Sequence, residues 1–98
     1  MPKKSYSKNL QTCRVTFELP ASMNATTASV VGDFDGWSGE AVPMTKRKDG
    51  RLSVTISLKA GREYRYRFLV NGDLWENDWA AEGYVANAFG SEDSLVKV

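Results

Sequence analysis

Leu52-Ser53-Val54-Thr55-Ile56-Ser57-Leu58, then Lys59-Ala60-Gly61, then Glu63-Tyr64-Arg65-Tyr66-Arg67-Phe68-Leu69-Val70 before Asn71-Gly72, is the stretch from which the fold is read. Leu52, Val54, Ile56 and Leu58 alternate with Ser53, Thr55 and Ser57. Successive side chains of a strand point to opposite faces, so a period of two marks a strand with one apolar face. Lys59-Ala60-Gly61 turns the chain. Tyr64, Tyr66, Phe68 and Val70 then form one face of a second strand, and Glu63, Arg65, Arg67 and Leu69 form the other. Asn71-Gly72 is a strong hairpin signal, because both residue types tolerate the positive φ of a tight turn.

The same period appears on both sides of this stretch. Upstream, Val15, Phe17 and Leu19 alternate with Arg14, Thr16 and Glu18, and Pro20 ends the strand. Ala28 to Val31 is a short strand that runs into the turn-rich loop Gly32-Asp33-Phe34-Asp35-Gly36-Trp37. Asp49-Gly50 is another hairpin signal. Downstream, Asp73, Leu74 and Trp75 begin a return strand, residues 77–88 read as a long loop, and Leu95 to Val98 is the last strand. Residues 1–12 are polar and read as a loose tail, leaving a single domain over 13–98. No helical period of useful length occurs. Short strands at roughly 8–12-residue spacing with turn signals between them predict an all-β sandwich.

Composition narrows the function. Thirteen basic and 12 acidic residues give a formal net charge of +1, against the marked basic excess of a dedicated nucleic-acid binder. Lys46, Arg47, Lys48 and Arg51 read as a solvated hairpin turn. No stretch approaches the roughly 18 apolar residues of a membrane span. No apolar segment follows the lysines of the first ten residues, so the expectation is a cytoplasmic protein that contacts neither membrane nor nucleic acid. The lone Cys13 lies in an apolar alternation and reads as a strand residue. The chain has no histidine, which removes Ser-His-Asp and Cys-His catalysis and most zinc sites. Asp33, Asp35, Asp73, Glu76, Asp78, Glu92 and Asp93 are available for carboxylate chemistry, but Asp beside Gly is ordinary turn chemistry. Asp33 and Asp35 lack the later ligands of a calcium loop. The expectation is no enzyme activity, no metal and no cofactor.

The three tryptophans, Trp37, Trp75 and Trp79, fall in or beside loops, which run over the surface. An exposed indole is a flat apolar plate, and a pyranose presents an apolar face of C–H groups with a rim of hydroxyls. Stacking the two buries apolar area at about 25 cal/mol per Å². Polar side chains nearby then hold the hydroxyls, and Arg67, on the face opposite Tyr66 and Phe68, is a candidate. The competing reading places each tryptophan in the core, where the type is buried on average.

Val31-Gly32-Asp33-Phe34-Asp35-Gly36-Trp37 resembles the G-x-F-N-x-W loop of carbohydrate-binding module family 48. This family includes glycogen-binding domains of AMP-activated protein kinase β-subunits and the early-set domains of isoamylases and branching enzymes. Gly61 to Gly72 resembles its G-x-Y-x-Y-K-F-x-V-D-G segment, Trp75-Glu76-Asn77-Asp78 its W-x-x-D, and Asn87 to Val96 its N-x-x-G-x-x-N-S-V-V. Asp49-Gly50 precedes the alternating strand as it does there, so the likeness covers roughly residues 13–98. The resemblance implies an immunoglobulin-like β-sandwich that binds α-1,4-glucan, in a stand-alone bacterial form, with a glycogen-metabolising enzyme as a further partner. It also implies roles. Trp37 and Trp75 would be stacking platforms. Arg67 stands where the family has lysine and would donate to hydroxyls. Phe89 would pack against the glucan coil, Ser91 would be a polar contact, and Asp93 stands where the family has asparagine. Asp in place of Asn at 93 keeps an acceptor and loses a donor. One extra residue separates Asn71-Gly72 from Trp75, relative to the kinase module. The alternative is a protein-interaction or scaffold domain of the same fold, related to glycoside hydrolase family 13 enzymes, that has lost sugar binding.

Overall fold

The computed structural model describes residues 2–34, 42–88 and 90–98. Among them ten strands form two antiparallel sheets: β1 (Lys3–Tyr6), β2 (Thr12–Leu19), β3 (Ala28–Gly32), β4 (Val42–Pro43), β5 (Thr45–Lys46), β6 (Leu52–Lys59), β7 (Glu63–Val70), β8 (Leu74–Glu76), β9 (Gly83–Ala86) and β10 (Glu92–Lys97). One sheet has the order β1-β2-β6-β5. The other has the order β4-β3-β7-β10-β9, with β8 also on β7. Taken in chain order, β1-β2-β6-β5 and β3-β7-β10 reproduce the A-B-E-D and C-F-G sheets of the immunoglobulin sandwich.

The period-two patterns place the core between the sheets. Cys13, Val15, Phe17 and Leu19 stand opposite Leu58, Ile56, Val54 and Leu52 across the β2–β6 ladder. Tyr64, Tyr66, Phe68 and Val70 are buried against them from β7. The Phe17 and Tyr66 rings meet edge to face at 4.7 Å, joining the two sheets at the centre. Cys13 is wholly buried here.

The turn after β6 carries the chain from one sheet to the other. At this corner the Tyr64 hydroxyl donates to the Lys59 carbonyl at 2.9 Å, the backward bond of an immunoglobulin tyrosine corner. Gly61, with φ +81°, donates its N–H to the Val98 carbonyl and so ties the corner to the end of the chain.

Three expectations need correction. Residues 3–6, expected in a loose tail, form edge strand β1 along β2. Residues 83–86, expected in a loop, form β9 along β10. The last strand begins at Glu92 rather than Leu95. β1 and β9 escape a hydrophobic-period reading because both lie at sheet edges, where the backbone ladder rather than an apolar face holds the strand. Among the described residues no helix is long and apolar enough to cross a membrane.

Candidate carbohydrate-binding face

With Tyr66 and Phe68 turned inward, alternation along β7 turns Arg65, Arg67 and Leu69 to the outer face of its sheet. The Asn71-Gly72 turn decides where Trp75 goes. Asn71 and Gly72 have φ of 53° and 80°, and Asp73 N–H donates to the Val70 carbonyl at 3.2 Å. Val70 pairs with Leu74, so Asn71-Gly72-Asp73 is a three-residue connection and the extra residue is absorbed in the turn. Trp75 therefore stands opposite Leu69, on the same outer face as Arg67. Trp75 is 42% exposed. The Asn71 carboxamide oxygen accepts from the Thr26 and Thr27 N–H groups, which staples this turn to the approach to β3.

Arg67 is half-buried and stands opposite Val31 of β3, which is wholly buried. Its Nε is buried and, among the described residues, has no hydrogen-bond partner. Buried polar groups are normally paired, so this N–H is an exception among the described residues.

Ser91 and Asp93 are gathered by Asn87, a residue that the sequence reading did not single out. Asn87 N–H donates to the Ser91 carbonyl at 2.9 Å, Ser91 N–H donates to Asn87 Oδ1 at 3.1 Å, and Asn87 Nδ2 donates to Asp93 Oδ1 at 3.1 Å. Ser91 is exposed, whereas Asp93 is only 7% exposed. Ser94 pairs with Tyr66, and alternation along β10 puts the preceding Asp93 on the outer face of the same sheet. The signal for Asn87 was its place at the head of Asn-x-x-Gly, with Gly90 at φ +78° making the turn.

The loop that carries Trp37 is clamped at its root. Asp33 N–H donates to the Arg65 carbonyl at 3.0 Å, and Arg65 N–H donates to Asp33 Oδ2 at 2.9 Å. A Cβ on Gly32 would lie 2.3 Å from that same carbonyl, so only glycine lets β3 approach β7 this closely. Phe34 packs on Phe17 and Tyr64. Trp37, Asp35 and Phe89 lie outside the described residues. Trp79 is not brought to this face. It lines a hollow with Thr16 and Glu18, which lie on the outer face of the other sheet.

Several of the carboxylates considered for chemistry hold the fold. Asp33 clamps β7, Asp93 accepts from Asn87, and Asp78 accepts the buried Tyr66 hydroxyl at 2.6 Å. Burial, and then this bond to Asp78, push the Tyr66 phenol far above the ordinary tyrosine range. Among the described residues no three His, Cys, Asp or Glu side chains converge as a metal site would require.

The profile of carbohydrate-binding module 48 (isoamylase N-terminal domain) matches residues 6–86 of the chain. A 1,4-alpha-glucan branching enzyme of Pseudoalteromonas atlantica is 32% identical over 75 residues, which cover 74% of this chain and 10% of that enzyme.

Proposed function

Because the chain belongs to the carbohydrate-binding module 48 (isoamylase N-terminal domain) family, we propose that it binds α-1,4-glucan and catalyses nothing. One glucose ring stacks on Trp75, and the Arg67 guanidinium donates to its hydroxyls. Trp37 supplies a second plate, Phe89 an apolar contact, and Ser91 and Asp93 polar ones. The observation that carries the reading is the half-exposed Trp75 indole sharing an outer face with the half-buried Arg67. An apolar plate beside a guanidinium suits a ring with one C–H face and a hydroxyl rim. Asp33, Asp78 and Asp93 are engaged in bonds that hold the fold, which supports a binding role over carboxylate catalysis.

An open surface with two stacked sugars implies weak binding, about −4 to −8 kcal/mol, or millimolar to micromolar. The test is titration of β-cyclodextrin and maltoheptaose followed by tryptophan fluorescence, with Trp75→Ala and Trp37→Ala as controls. A saturable change that is reduced in each variant is expected. No change up to about 10 mM ligand, where even a roughly −3 kcal/mol interaction registers, overturns the reading and leaves a protein-interaction domain in its place.

A further inference from the structure

Trp79 is 64% exposed, more than Trp75, and nothing in the glucan face uses it. It borders a hollow of about 240 Å³ with Lys3, Thr16, Glu18, Arg51 and Asp78. Thr16 and Glu18 lie on the outer face of the β1-β2-β6-β5 sheet, so the hollow opens beside that sheet and apart from the face that carries Trp75.

The indole stands on a fixed support. Every polar group of the preceding residue is bonded: Asp78 N–H donates to Ser94 Oγ at 2.9 Å, Oδ1 accepts Ala80 N–H at 2.9 Å, Oδ2 accepts Tyr66 O–H at 2.6 Å, and the carbonyl accepts Tyr84 O–H at 2.6 Å. An apolar plate carried on a fixed backbone has part of its ordering cost met before a ligand arrives. The facing polar groups are also fixed. The Arg51 guanidinium donates to Glu18 Oε2 at 3.1 Å and to Asp49 Oδ2 at 2.8 Å.

The charges around the hollow balance, with Lys3 and Arg51 against Glu18 and Asp78. A balanced site has no preference for an anion or a cation. It does offer donors and acceptors side by side, and a hydroxyl uses both at once. We propose that this hollow is a second carbohydrate site. One glucose ring stacks on Trp79 with its hydroxyl rim on Glu18, Arg51 and Thr16, so a single domain holds one glucan chain at each of two places. The proposal rests on the glucan reading of the first face.

The test is a maltoheptaose titration, to about 10 mM, of protein carrying ¹⁵N-labelled indoles, with the three Nε1–H signals assigned by single Trp→Phe variants. In the Trp75→Ala protein the Trp79 signal is expected to shift saturably. In the Trp79→Ala protein the Trp75 signal still responds. Arg51→Ala weakens the Trp79 response several-fold and leaves that of Trp75 unchanged. A Trp79 signal that stays still while Trp75 responds removes the second site and leaves the first intact. A Trp79 shift that vanishes with Trp75→Ala also overturns the proposal, because the change was then transmitted from the first face. If neither signal moves, both readings fall.

Discussion

The Lys4 ammonium on edge strand β1 donates to Glu82 Oε2 at 2.7 Å, tying one sheet of the sandwich to the segment that leads into β9 of the other. The other oxygen of that carboxylate, Oε1, accepts the Lys97 N–H of β10 at 2.8 Å. The two side chains are only 22% and 16% exposed, so this is not a freely solvated surface pair. Both edge strands that lack an apolar signature, β1 and β9, lie next to this carboxylate.

Burial pushes the Glu82 carboxyl up, but the Lys4 ammonium and the Lys97 N–H outweigh it and hold the group below its ordinary value of 4.5. A depressed pKa in the folded state means the stabilisation is present above the unfolded value and is lost as pH falls through the folded one. Glu82→Gln is therefore expected to cost about 1 kcal/mol at pH 7 and to flatten the stability profile below about pH 5. Urea unfolding at a series of pH values measures both effects. A variant whose acid limb overlays that of the wild type would show that the pair contributes nothing to the docking of β1.

The Tyr66–Asp78 bond gives the opposite pH dependence. Unfolded tyrosine ionises near 10.0, while the folded phenol is held neutral by burial and by the carboxylate beside it. Stability is thus complete below pH 10 and falls above it, as the unfolded chain alone releases the proton. Tyr66→Phe removes this alkaline limb. It also leaves Asp78 Oδ2 in a buried place without its donor, at a cost of about 1–3 kcal/mol. Tyrosine absorbance titration checks the assignment, since one phenol must remain protonated until the protein unfolds.

How much of this was legible follows from where each residue's partner lies. Strands β2, β6 and β7 were read from alternation because their inward residues pack together in one apolar core. β1 gave no such signal, since Lys3, Ser5 and Tyr6 are exposed and its hold comes from the backbone ladder and Lys4. Tyr84 of β9 is spent on the Asp78 carbonyl, a contact between segments that no local pattern encodes. At the site, Arg67 could be placed on a face by parity alone. The placing of Trp75 depended on whether Asp73 joined the turn, and that is a matter of register. The separation of Trp79 from Trp75, four residues apart in sequence and beside different sheets, was beyond any reading of spacing.

Gly32 separates sterics from backbone preference. Its added Cβ would sit 2.3 Å from the Arg65 carbonyl oxygen and 3.0 Å from Tyr66 Cβ, and the Asp33–Arg65 bonds keep the strands from parting. Gly32→Ala is expected to cost about 1–3 kcal/mol and to weaken glucan binding, because the loop with Trp37 starts there. Gly72→Ala meets open space and is opposed only by its φ of +80°, so it costs about 1 kcal/mol. Thermal unfolding of the two variants orders them. Equal losses would mean that close strand approach is not what Gly32 provides.

Asn87 tests whether the polar side of the face must be pinned. Its carboxamide uses both ends, Oδ1 on the Ser91 N–H and Nδ2 on Asp93. Asn87→Asp keeps the acceptor and replaces the donor by a second carboxylate facing Asp93, which is only 7% exposed. At pH 7 the two like charges repel, Asp93 loses its donor, and glucan affinity is expected to fall about tenfold, near 1.4 kcal/mol. Asn87→Ala removes the donor without adding charge and should fall less. Maltoheptaose titrations of both variants at pH 7 read this directly. Parallel behaviour of the two would mean that Asn87 acts through the backbone turn alone, leaving Asp93 without a part in the glucan face.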